Sequence, residues 1–63
     1  MAIYHVGAVM LELDNSGTPI AAWFSLYDNG HSIVRFAFRD VGSARKGAEL
    51  VRELVEIVET IGL

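Results

Sequence analysis

The sequence predicts an α+β domain: a three-stranded antiparallel β-meander followed by one C-terminal α-helix packed on the sheet (βββα). Three observations carry this reading. Turn-rich clusters at Asp14–Pro19 and Asp28–Gly30 separate segments rich in β-branched and aromatic residues. A third break, Asp40-Val41-Gly42-Ser43, precedes a run whose apolar residues recur with helical spacing. A chain of 63 residues also holds one core at most, because two would each be too small to fold alone, so residues 1–63 form a single domain.

The first strand spans about residues 2–13. In an unbroken strand, Ile3, Val9, Leu11 and Leu13 share one side with His5 and Gly7, while Tyr4, Val6, Ala8 and Met10 share the other. Neither side turns polar before Glu12, and Gly7 marks a bend or a bulge, since glycine weakens a strand interior. The second and third strands, 20–27 and 32–39, flank Asp28-Asn29-Gly30, with Gly30 suited to positive φ. A two-residue turn at Asn29-Gly30 pairs Leu26 with Ile33. A three-residue bulged loop pairs Tyr27 with His31 and Phe24 with Val34. The bulged loop is preferred, because it gathers Ile20, Ala22, Phe24, Leu26, Val34, Phe36 and Phe38 on one face. It sends Trp23, Ser25, Tyr27, His31, Arg35 and Arg39 to the other.

The helix spans about 43–61, capped by Ser43 or Asp40 and ended by Gly62. Its apolar residues, from Ala44 through Val51 and Val55 to Ile61, fill an arc of roughly 180°, whereas covering one small sheet needs a stripe of about 100°. A chain this short also buries only ~60% of its unfolded surface. The surplus lies on the helix flank carrying Leu50, Ile57 and Ile61, and on the outer sheet face with Trp23, Ile33 and Ala37. These positions predict partner contact, with Trp23, Tyr27, Arg35, Leu50, Ile57 and Ile61 as the contact residues.

Composition narrows the function classes. The absence of cysteine excludes thiol nucleophiles, disulfide scaffolds, cysteine zinc sites and iron–sulfur sites. With 52% hydrophobic and 21% charged residues the chain is globular. Met1–Leu13 lacks the basic start of a leader, and no uncharged run approaches the ~20 residues of a membrane span, so the expectation is a soluble cytoplasmic protein. His5 and His31 are too few for a metal site. Asp14 and Asp28 open turns, but Ser25 and Arg39 stand where a calcium loop needs its bidentate glutamate. No arrangement of the histidines with Ser16, Ser25, Ser32 or Ser43 suggests a nucleophile. No catalytic residue, metal, cofactor or small-molecule ligand is expected.

Charge along the helix runs against its dipole, which favours acids at the start and bases at the end. Arg45 and Lys46 open the helix, and Glu53, Glu56 and Glu59 crowd its second half. Arg45 and Lys46, with Arg39, are candidate anion-binding residues at the free N–H groups of the first turn; equally, Arg45–Glu49 and Arg52–Glu56 are ordinary helical pairs. Trp23, Tyr27, His31, Arg35 and Arg39 combine side chains that stack on bases or anchor protein contacts. Five basic residues against eight acids disfavour nucleic acid. The strand–strand–strand–helix order followed by Ser43-Ala44-Arg45-Lys46 is similar to the last part of a double-stranded-RNA-binding domain. That resemblance implies phosphate contacts at the helix start, although the preceding helix and the positive charge of that family are missing here.

The expected function is a small non-enzymatic protein-binding module, either a homodimer or an accessory or inhibitor subunit. In the inhibitor form, as a mobile-element protein, Glu49, Glu53, Glu56 and Glu59 offer an acidic strip to a basic site. The alternative is a nucleic-acid-binding domain using the Trp/Tyr/Arg sheet face together with Arg39, Arg45 and Lys46.

Overall fold

The computed structural model describes residues 3–62. It confirms an antiparallel sheet followed by one C-terminal helix, with four strands in place of the three expected. These are β1 (Tyr4–Val6), β2 (Met10–Leu13), β3 (Pro19–Asp28) and β4 (His31–Phe38), followed by α1 (Val41–Thr60). The expected strand start at Ala2 lies outside the described residues. The first strand is divided because it carries a bulge. Val6 pairs with Leu26, and Gly7 N–H donates to Ser25 O at 2.8 Å, but the next pair is Met10 with Trp23. Ala8 and Val9 therefore stand together opposite Phe24.

The extra residue corrects the face assignment for an unbroken strand. Val6 shares the helix side with Leu26, and beyond the bulge Leu11 shares it with Ala22, while Met10 turns to the outer face with Trp23. Val9 joins the core although it differs in parity from Val6. Gly7, just before the bulge, has no room for a side chain because the Tyr27 ring lies over it: a Cβ there would come within 2.9 Å of Tyr27 Cε2.

β3 is central. Leu26 pairs with both Val6 and Val34, and Ala22 with both Leu11 and Phe38, so β1 and β2 line one edge and β4 the other. The β3–β4 hairpin takes neither register considered from the sequence. Asn29 and Gly30 form a two-residue turn, both at positive φ (51° and 85°), and Asp28 pairs with His31. A bulge then takes up Ile33, after which Leu26 pairs with Val34 and Phe24 with Phe36. The turn satisfies the local preference of Asn-Gly, and the bulge restores the face the apolar residues require. His31 consequently leaves the Tyr27 face.

The helix begins two residues earlier than expected. Asp40 is its N-cap, accepting from Ser43 N at 2.7 Å, and Gly62 ends it at φ 74°. α1 crosses β1, β3 and β4 on one side of the sheet. Its buried residues are Ala44 and Ala48, whose small side chains let the backbone approach. The core is compact: Phe24 is fully buried between Phe36 and Phe38, at ring separations of 5.1 and 5.8 Å, with Val6 and Ala48 against it.

Candidate binding surfaces

Leu50, Leu54, Ile57 and Ile61 follow one another at spacings of four, three and four residues, which places them on one stripe of α1. They are 59%, 59%, 56% and 61% exposed. The residues that touch the sheet, Ala48, Val51 and Val55, lie on the neighbouring stripe. Leu54 was not singled out from the sequence, yet its spacing from Leu50 and Ile57 was the signal for it.

The position of this flank in the fold matters as much as its composition. Leu54, Val51, Val55 and Val58 line an open apolar groove with Tyr4 of β1, Leu26 of β3, and Ile33 and Phe36 of β4. Leu54 is the member of the exposed stripe that borders it. Ile33, expected on the outer face, belongs to this helix-side groove because the bulge turns it there. The charged flank faces the opposite edge: Arg45, Glu49 and Arg52 lie beside Val9, and Arg52, Glu56 and Glu59 lie beside Tyr4 and His5. Arg52 therefore interrupts the acidic strip, and Glu53 stands apart beside Ile57 and Ile61.

The outer sheet face carries Trp23, Tyr27 and Arg35. The Arg35 guanidinium lies 4.0 Å from the Trp23 ring centre, and Tyr27 stacks at a tilt against His5 at 5.8 Å. Between these flat groups Ser25 is buried. The aromatics therefore cover their own sheet, with Trp23 and Tyr27 half-buried and Arg35 exposed. This face and the helix flank lie on opposite sides of the sheet.

At the helix start Arg39, Arg45 and Lys46 are exposed, and the Asp40 carboxylate accepts from the Ser43 backbone N–H and hydroxyl. Its hydrogen bonds from the Ser43 backbone and hydroxyl hold its carboxyl below the ordinary aspartate range. Asp14 is lowered in the same way, first by the Ser16 hydroxyl and then by the backbone of Thr18, and it ties together the β2–β3 loop. That hairpin extends away from the helix and leaves Met10, Leu11, Leu13 and Ile20 about half exposed.

Among the described residues no three His, Asp or Glu side chains converge as a metal site would require, and no helix is long and apolar enough to cross a membrane. Comparison with protein-family models, with curated proteins and with solved structures finds no match.

Proposed function

We propose that this chain is a non-enzymatic protein-binding module that works through the apolar flank of α1. One observation carries the reading: four large aliphatic side chains, Leu50, Leu54, Ile57 and Ile61, form a continuous exposed stripe. Monomeric proteins rarely leave such a patch open. The absence of a charged residue from the stripe itself fits the centre of a protein interface, which is depleted in charge. Trp23 and Arg35 offer a second contact area of the composition found at binding hot spots.

Nucleic acid fits less well. Asp40 already takes one N–H of the helix start and places a carboxylate where a phosphate would sit, and the net charge of −3 repels a polyanion. A photo-crosslinking amino acid at position 57, compared with one at Glu49 on the charged flank, tests the reading in extracts of the source cells. Protein adducts from position 57 and not from position 49 are expected. Absence of adducts at 57, together with salt-sensitive retention of random oligonucleotides, overturns it in favour of the nucleic-acid alternative.

A further inference from the structure

Two unpartnered features lie on the same side of this molecule. β4 pairs with β3 alone among the described residues, so its outer edge presents free N–H and C=O groups over eight residues, His31–Phe38. The apolar flank of α1 is the side of the helix away from the charged residues beside β1, and its Leu54 borders Ile33 and Phe36 in the groove between helix and sheet. Both edges carry a bulge, at Ile33 in β4 and at Ala8–Val9 on the other side, but the charged helix flank lies beside the β1 edge. We infer that the occupant of the apolar face is a second copy of this chain, joined β4 to β4 in an antiparallel pair with the two α1 flanks packed together above the joint. This inference rests on the protein-binding reading and names its partner.

The geometry of a two-fold axis makes the two features a single interface. An antiparallel β4–β4 pair has its two-fold axis perpendicular to the sheet, which keeps both helices on one side of a continuous sheet and sets them antiparallel. The flanks that then face each other are those nearest β4. Three strand spacings, about 14 Å, separate the two β3 strands. Four Leu and Ile side chains from each helix fill that space from above, with Val34 and Phe36 beneath. A register centred on Phe36 sets Arg35 opposite the partner's Ala37; one centred on Arg35 would bring two guanidinium groups together.

Size supports the second copy. The chain exposes 4775 Å², whereas a compact monomer of this mass exposes about 4000 Å². The excess lies on the extended β2–β3 hairpin and on the α1 flank, where large apolar side chains are left open that a compact chain would bury. The radius of gyration is 13.3 Å, against about 11 Å for a compact chain of this length.

Size-exclusion chromatography with light scattering on the full chain, at micromolar concentration, tests the inference. The expected mass is twice 6.9 kDa. Ile57→Glu and Leu54→Glu are expected to weaken association about 100-fold or more, while Asn15→Ala in the exposed β2–β3 loop leaves it unchanged. The outward amides of Val34–Phe38 are expected to exchange slowly in the dimer. A wild-type monomer overturns the second copy. If Leu54 and Ile57 of that monomer are exposed to a soluble paramagnetic probe, a foreign protein replaces it; if they are shielded, the binding reading falls too. A dimer insensitive to Ile57→Glu, or one with fast β4 amides, overturns the arrangement.

Discussion

Gly47 lies where α1 passes over the Phe38 ring, and a Cβ at that position would stand 2.6 Å from Phe38 Cζ. Replacing a helical glycine with alanine ordinarily gains about 1 kcal/mol. Here the gain is opposed by overpacking, typically 1–3 kcal/mol, because Phe38 is stacked on the buried Phe24 and has little freedom to retreat. Gly47→Ala is expected to destabilise the wild type by about 1 kcal/mol in urea unfolding, and to stabilise a Phe38→Leu background, where the clash is gone. Asp40 makes a residue-scale prediction about pH. Its folded-state pKa is depressed below the ordinary 3.8 by the Ser43 hydrogen bonds. Its contribution is therefore complete above the unfolded-state value and is lost as pH falls through the folded-state value. Asp40→Asn keeps a capping side chain that does not titrate. Melting curves of the two proteins should run parallel near neutrality and converge as the pH is lowered from about 4.

At the scale of elements, the strands and the helix were legible because periodicity and turn residues act locally. Asn29-Gly30 announced a hairpin, and Asp40 and Gly62 bounded the helix. The two bulges were not legible in the same way. A bulge is chosen by the whole sheet: it shifts parity wherever an unbroken strand would turn apolar residues away from the helix. In strand 1 the sequence showed the symptom, apolar residues on both faces, and Gly7 showed the place. The sequence did not show which residue was extra. That is also why Ile33 and His31 were assigned to the wrong face, while Leu50, Ile57 and Ile61, on a helix whose period admits no slip, were placed correctly. Deleting Ala8 tests this account. It would remove the extra residue and join β1 and β2 in one register, with Val9 opposite Phe24, Val6, Val9 and Leu11 on the helix side, and Met10 and Glu12 outside as before. The deletion should therefore cost no more than about 1 kcal/mol in urea unfolding, as should deletion of Asn15 in the exposed β2–β3 loop. A loss of several kcal/mol confined to the Ala8 deletion would overturn the account.

For the molecule as a whole, the candidate surface is legible in the sequence as an excess of apolar area on the helix. What the sequence could not supply was the alignment of that excess with a free sheet edge, since the flank faces β4 only because the charged residues face β1. The alignment has a thermodynamic consequence apart from the measured mass. With a core of Val6, Phe24 and Ala48 and six half-buried neighbours, the proposed dimer would draw part of its stability from association. Unfolding then converts one dimer into two chains, and each tenfold rise in concentration adds about 1.4 kcal/mol to the dimer's stability by mass action. Divided by the unfolding entropy of two such chains, this shifts the melting temperature by about 5 °C. Scanning calorimetry across a hundredfold concentration range should therefore show a rise of about 10 °C for the wild type. Ile57→Glu should melt lower and at a temperature independent of concentration. A wild-type transition that stays fixed over that range would mean that Phe24 and its neighbours stabilise the monomer unaided, and that the exposed flank contributes nothing to folding.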